Sequence, residues 1–185
     1  DDGGHVTPAV RDISFRLGKG ECLGLIGESG SGKSVTALSL MGLVASPPGV
    51  ITSGAIYIDG QDVLSLPQQQ LIAYRGARVA YVFQDPLTTL HPLFAVGEQI
   101  AEAILVHDSI GKAAARKRAV ELMETVGIRD AASRAGAYPH ELSGGQRQRI
   151  GIAMALANDP DIIIADEPTT ALDVTVQARI LELLY

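Results

Sequence analysis

Gly27-Glu28-Ser29-Gly30-Ser31-Gly32-Lys33-Ser34 is the stretch from which the rest of the chain is read. It follows an apolar run at 22–26 and precedes the good helix formers of 37–41. Strand, glycine-rich turn and helix, in that order, is the context in which Gly-x-x-x-x-Gly-Lys-[Ser/Thr] marks a phosphate-binding loop. Glycines let the backbone curl so that several N–H groups converge on phosphate oxygens, and a side chain there would block the approach or resist the φ required. The loop feeds a helix N-terminus, whose unpaired N–H groups and positive dipole end also favour an anion. Lys33 can reach the β- and γ-phosphates as a point charge, and the Ser34 hydroxyl can ligate Mg²⁺. The expected nucleotide contacts are these eight residues together with Val35.

A chain of 185 residues, 46% hydrophobic, can bury the core of one α/β domain. Its net charge of −6 leaves no basic footprint, so no nucleic-acid partner is expected. Cys22 is the only cysteine, which excludes an intramolecular disulfide or a cysteine-rich metal site and suits a reducing cytosol. Inside an apolar run, it reads as a small buried hydrophobe. No apolar run approaches the length of a membrane span and no signal peptide opens the chain, so a membrane role would come through partners.

Ile13, Phe15 and Leu17 alternate with Ser14 and Arg16, the period of a half-buried strand. Residues 21–26 run apolar without alternation, as a strand covered on both faces does. A helix is expected over 34–43, ended by Pro47 and Pro48. Residues 55–58 followed by Asp59-Gly60 read as strand then turn, and 67–74 as a short helix. Residues 79–83 and 161–165 read as two further buried strands. Helical patterns cover 96–106, 113–126, 144–156 and 174–184. In 113–126, Val120, Met123 and Val126 face one way, whereas Arg116, Lys117 and Arg118 form a solvated face. Apolar strands alternating with helices imply an α/β fold, a parallel sheet flanked by helices. A small antiparallel β region lies near the N-terminus and a helical insert projects from the sheet. The chain reads as one domain, 1–185, with a core of about 1–90 and 157–185 and a helical subdomain of about 91–156.

Ile162-Ile163-Ile164-Ala165-Asp166-Glu167 places two carboxylates at the carboxyl end of a buried strand, the edge of an α/β sheet where ligands bind. Asp166 suits Mg²⁺, directly or through water. Glu167 suits a general base that polarises the attacking water. The competing reading is that both acids cap the next helix, with Pro168 near its start. Further upstream, Leu142-Ser143-Gly144-Gly145-Gln146 joins a natural N-cap, Ser143, to two glycines that allow close approach at a second helix N-terminus. Arg147 and Arg149 behind it read either as contacts to nucleotide-facing groups or as an ion-paired solvated face.

Taken together, these residues resemble the nucleotide-binding subunits of ABC transporters, over essentially the whole chain. Residues 27–34 match the family's Walker A loop, Gln84 its Q-loop, 142–146 its signature motif, 162–167 its Walker B strand and Ala171-Leu172-Asp173 its D-loop. All stand in family order, with 110 residues (143 − 33) between Lys33 and Ser143. Phe83-Gln84-Asp85-Pro86-Leu87-Thr88-Thr89-Leu90-His91-Pro92, and Val174-Thr175-Val176-Gln177-Ala178 after Asp173, resemble the oligopeptide/dipeptide permease group, which also includes nickel importers.

The resemblance implies a P-loop NTPase fold and two subunits paired head to tail, with ATP between one Walker A loop and the partner's signature motif. It implies that Lys33 and Ser34 hold phosphates and Mg²⁺ and that Gln84 senses metal and water. Ser143, Gly144, Gly145 and Gln146 would close on the opposite γ-phosphate, Glu167 would activate water, and Asp173 would communicate across the dimer. It further implies transmembrane permease subunits docked near 84–92, an extracytoplasmic solute-binding protein acting indirectly, and a peripheral place on the cytoplasmic face of the inner membrane. Peptides are the expected cargo, with nickel or another small solute the alternative.

Three family features have no counterpart here. Residues 1–10 hold no aromatic residue to stack on adenine. His5, His91, His107 and His140 all precede Asp166, so none can be the family's switch histidine. A smaller C-terminal domain of peptide permeases is also missing. The expectation is a piece of a longer subunit that hydrolyses ATP weakly by itself. A DNA-maintenance ABC ATPase is disfavoured by the compact insert, the absent cysteine cluster and the acidic balance. A non-hydrolysing nucleotide-binding module is disfavoured by intact Lys33, Asp166 and Glu167.

Overall fold

A computed structural model describes residues 7–85, 89–169, 172 and 174–184. The chain divides into two compact units, Asp1–Ile72 and Ala73–Tyr185.

The first unit carries the phosphate-loop sequence and the helix behind it, α1 (Lys33–Leu40). This helix starts from Gly32, whose φ of 93° only glycine adopts without strain. It stops three residues earlier than the pattern suggests, before either proline. Gly42 turns left-handed, and its N–H and that of Leu43 bond to the carbonyls of Ser39 and Leu38. That pairing is the Schellman closure that satisfies the last helical carbonyls. Next comes a hairpin, β1 (Tyr57–Ile58) and β2 (Gln61–Asp62), antiparallel with Tyr57 opposite Asp62. Asp59 and Gly60 both have positive φ, as a two-residue hairpin turn of the I′ type demands. The expected antiparallel region is therefore present. Asp62 then accepts from the Leu64 N–H and caps a 3-10 turn, Val63–Ser65, before α2 (Gln68–Tyr74).

Residues 13–17 and 21–26 do not form the strands their patterns predict. An alternating or apolar pattern says which face would be buried, but the strand exists only through a neighbour's backbone and a covering layer. Among the described residues nothing pairs with either segment, and Ile26 is 99% exposed. Cys22 is exposed for the same reason, not the buried hydrophobe its surroundings suggest.

The second unit holds the buried core. Strands β3 (Val79–Val82) and β4 (Ile162–Ala165) pair in parallel, Val79 with Ile162 through Val82 with Ala165. Both were expected; β3 is almost fully buried, whereas β4 is only half-buried. Helices α3 (Val96–Leu105), α4 (Lys112–Thr125), α5 (Ala131–Arg134) and α6 (Gly144–Ala155) follow, with α7 (Val174–Leu184) after β4. Four of these, α3, α4, α6 and α7, lie where the sequence places helices. Their apolar faces meet in one cluster containing Ile100, Ile104, Ala119, Met123, Ile150 and Ile152. Gly97 lets the start of α3 lie against the end of α5: a Cβ there would stand 2.8 Å from the Ala135 carbonyl oxygen. Gln99, also buried, holds the loop before α3 by accepting from the His91 N–H and donating to the His91 and Phe94 carbonyls, at 2.8–2.9 Å.

On α4, Lys117 is well exposed, as expected of a solvated face. Its neighbours are more engaged: Arg116 grips Glu98 through two nitrogens, and Arg118 reaches Asp108 and Asp159. No helix among the described residues is long and apolar enough to cross a membrane.

Candidate functional site

Residues 27–33 form a tight curl. Ser31 N–H bonds the Glu28 carbonyl at 3.2 Å, and Gly30 and Gly32 take φ of 80° and 93°. A Cβ on Gly27 would lie 2.6 Å from the Ser31 hydroxyl oxygen, and one on Gly32 2.7 Å from the Ala9 carbonyl. Lys33 turns back over this curl, its ammonium donating to the carbonyls of Gly27 at 2.7 Å and Glu28 at 2.9 Å. The lysine charge is thus held over the loop by the backbone that the phosphate motif supplies. Ser34, in the first turn of α1, has an exposed side chain, and Val35 is exposed beside it.

In the second unit, parallel register brings the expected chemistry together. Because Val82 pairs with Ala165, the residues following each strand emerge side by side, and Asp166 N–H continues the ladder to the Val82 carbonyl at 3.0 Å. Gln84 Nε2 donates to Glu167 Oε2 at 2.9 Å. Tyr81, whose ring packs 4.4 Å from that of Phe83, donates its hydroxyl to Asp166 Oδ2 at 3.2 Å. Burial, then the Asp166 charge and this hydrogen bond, push the Tyr81 phenol up to about 12. Each carboxylate after β4 therefore receives a neutral donor from β3 or its continuation. Glu167 also sits at φ 48°, a left-handed conformation that a non-glycine residue holds only where its surroundings impose it.

Ser143 caps α6 reciprocally: its hydroxyl accepts from the Gln146 N–H, and Gln146 Oε1 accepts from the Ser143 N–H. Gly144 and Gly145 begin the helix, and a Cβ on Gly144 would meet nothing within 4 Å. The two arginines behind the cap both make backbone contacts. Arg147 donates to the carbonyls of Pro139 and Leu142, and Arg149 to those of Gly127 and Gly145. Both are part-buried in these contacts.

Gln84, Asp166 and Glu167 are thus assembled around one strand pair, with 143–146 on the helix that packs against β3. Lys33 and Ser34 belong to the other unit. Asp173 and Ala171, like Pro86, Leu87 and Thr88 of the 83–92 stretch, lie outside the described residues. Two residues of this site escaped sequence reasoning. Tyr81 stands two positions from Phe83 on the same face of a strand, a spacing that hinted at it. Gln148, 1% exposed, is a polar residue four positions before Ile152 on the buried stripe of α6.

In chemical kind, the donors of each unit suit Mg²⁺. Ser34 in the first unit, and Gln84 and Asp166 in the second, each carry oxygen atoms, the hard donors that Mg²⁺ takes. Among the described residues no group of three or more His, Cys, Asp or Glu could form an all-protein cage. Mg²⁺ is ordinarily held by one or two protein groups and by substrate phosphates.

The chain belongs to the ABC transporter family, whose profile matches residues 10–170. It is 52% identical to the oligopeptide transport ATP-binding protein OppD of Bacillus subtilis, over 98% of this chain and 51% of that protein. It is 56% identical to the peptidoglycan transport ATP-binding protein YejF of Agrobacterium fabrum, over 98% of this chain and 33% of the relative. The dipeptide transport ATP-binding protein DppD of Bacillus subtilis is 51% identical, over 97% and 54% respectively. The chain thus spans about half, or less, of these relatives' length. Its fold is that of a dimeric, post-hydrolysis ATP-binding cassette, MJ0796, bound to ADP and Pi: TM-score 0.84 and 33% identity over 95% of this chain and 73% of the cassette. A second dimeric structure of MJ0796 gives 0.74 and 34%, over 85% and 65%. This is the P-loop α/β class that the loop at 27–34 suggests.

Proposed function

We propose that this chain is the ATP-binding and hydrolysing portion of a subunit that powers an ABC importer of di- and oligopeptides. The observation that carries the reading is the contact of Gln84 with Glu167, beside a Tyr81-held Asp166, at the carboxyl ends of two paired parallel strands. In this reading the phosphate loop, Gly27 to Ser34 with Val35, binds ATP, and Lys33 exchanges its two loop carbonyls for phosphate oxygens. Glu167 accepts the proton of the attacking water, and Gln84, already hydrogen-bonded to it, orients that water. Mg²⁺, held by Ser34 and Asp166 with Gln84 alongside, would neutralise phosphate charge. In this reading the chain is one domain, with about 91–156 as its helical subdomain and about 1–90 with 157–185 as its core.

The helix N-terminus at Ser143, Gly144, Gly145 and Gln146 supplies anion-binding N–H groups to the opposite subunit's nucleotide, and Asp173 signals across the pair. ATP then stabilises a closed dimer because both subunits contact its charge. Opening after hydrolysis drives transmembrane partners, with the subunit peripheral on the cytoplasmic side and a solute-binding protein delivering cargo outside. Relatives named for oligopeptide and dipeptide transport support peptides as that cargo.

The test is turnover and nucleotide binding by the intact subunit. Glu167→Gln should slow hydrolysis about 100- to 10,000-fold while retaining ATP. Lys33→Ala should weaken binding or turnover. Undiminished hydrolysis in the first refutes the base, and unchanged affinity and rate in the second refute the loop. Uptake of labelled peptides in cells lacking the subunit tests the cargo.

A further inference from the structure

Gln148 sits on the second turn of α6, behind the Ser143–Gln146 cap, and its side chain runs inward to the end of β3. Its Nε2 donates to the Phe83 carbonyl at 3.4 Å, across 65 residues of sequence. The residue is 1% exposed, and its Oε1 is buried without a partner among the described residues. A side-chain amide offers two N–H groups and an oxygen with two lone pairs. Here one long hydrogen bond is set against an orphaned buried acceptor, which ordinarily costs about 1–3 kcal/mol. An apolar side chain of equal volume would fill the same slot without that penalty. Stability alone therefore argues against glutamine at this position, and such local violations cluster where function demands them.

What the amide touches gives the demand its content. The Phe83 carbonyl belongs to the peptide that supplies the Gln84 N–H, and Gln84 Nε2 in turn holds Glu167 Oε2 at 2.9 Å. A contiguous line thus runs from the α6 N-terminus through Gln148 and the Phe83–Gln84 peptide to the proposed base. We propose that Gln148 is a positioning residue that couples the seating of α6 to the placing of Gln84 and Glu167. Its unspent oxygen gives the line a second arrangement: a small rotation of α6 relative to β3 lets the amide exchange its long bond for a better one and moves the Phe83–Gln84 peptide with it. This inference rests on the hydrolytic role proposed above.

Gln148→Leu and Gln148→Met, both apolar and of similar volume, are compared with the unmodified intact subunit for thermal stability, ATP affinity, KM and kcat. Each is also combined with Gln84→Ala. The expected result is a melting temperature equal to or above that of the unmodified protein, unchanged ATP affinity and KM, and kcat lower by about 10-fold. In the Gln84→Ala background the same substitutions should change kcat by less than about 2-fold, because the line is already cut. Unchanged kcat, or an equal loss in both backgrounds, overturns the coupling. Failure of both variants to fold also overturns it, since the amide would then contribute net stability. Hydrolysis by the unmodified subunit separates the two claims. Its absence refutes the functional reading and the coupling together, whereas normal hydrolysis with no loss in the variants refutes the coupling alone.

Discussion

Gln99→Met removes the device that fixes the loop ahead of α3 and keeps the volume of the side chain. Gln99 is buried and makes three bonds to that loop: it accepts from the His91 N–H at 2.8 Å and donates to the carbonyls of His91 and Phe94, each at 2.9 Å. At about 0.5–1.5 kcal/mol net for each, opening the loop in the unmodified protein forfeits about 1.5–4.5 kcal/mol that methionine cannot supply. Because each 1.4 kcal/mol is about tenfold in an equilibrium, the open population rises between about 10- and 1,000-fold. Amide hydrogen exchange of the intact subunit measures this directly. The His91 N–H, which donates to Gln99, should exchange faster by that factor. Amides of Ile150 and Ile152 in the core should not change. Equal protection at His91 in both proteins would refute the claim that Gln99 holds the loop. On the proposed reading, with permease subunits docked near 84–92, the same variant should keep basal hydrolysis and lose its stimulation in the assembled transporter.

Tyr81→Phe keeps the ring against Phe83 and deletes the hydroxyl on Asp166. The folded Tyr81 pKa of about 12 lies above its ordinary 10.0, so the unfolded chain releases this proton first. The Tyr81 contribution to stability is therefore complete below pH 10 and is lost as pH rises through 12; denaturation midpoints of the two proteins should converge or cross over that window, and a constant difference refutes the assignment. Gly97→Ala sets a gain of about 1 kcal/mol in helix propensity against overpacking of about 1–3 kcal/mol. With the new Cβ 2.8 Å from the Ala135 carbonyl oxygen, overpacking should prevail and lower the denaturant midpoint. A raised midpoint would show that α3 and α5 can separate freely.

Elements whose signals are local were legible. The cap and period of α6, the apolar stripes of α3 and α4, and the Asp59-Gly60 turn each act within a few residues, and the structure places them within a few positions of the expected bounds. Residues 13–17 and 21–26 failed because a strand is a contract between segments, and pattern alone names no partner. The contrast with β3 is instructive: 79–82 and 162–165 carry the same apolar character, and each finds the other. The motifs named Gln84, Asp166 and Glu167, and register alone explains how residues 83 positions apart come to share a hydrogen bond. Tyr81 and Gln148 stayed hidden because their partners lie 85 and 65 positions away. The backbone contacts of Arg147 and Arg149 were not foreseen, because charge pointed to solvent or nucleotide, whereas a guanidinium also satisfies carbonyls left over at turns and helix ends.

The lysine folded over its own loop has a thermodynamic consequence for ligand selection. Its ammonium already has two carbonyl acceptors, so an incoming anion competes with an internal ligand rather than meeting a bare charge. A singly charged anion gains little by that exchange, while a polyphosphate, with several oxygens in reach of the same ammonium and the loop N–H groups, gains enough to displace both carbonyls. On the proposed nucleotide-binding reading, the loop is expected to favour a ligand with concentrated charge over abundant small anions, because its own backbone competes for the lysine.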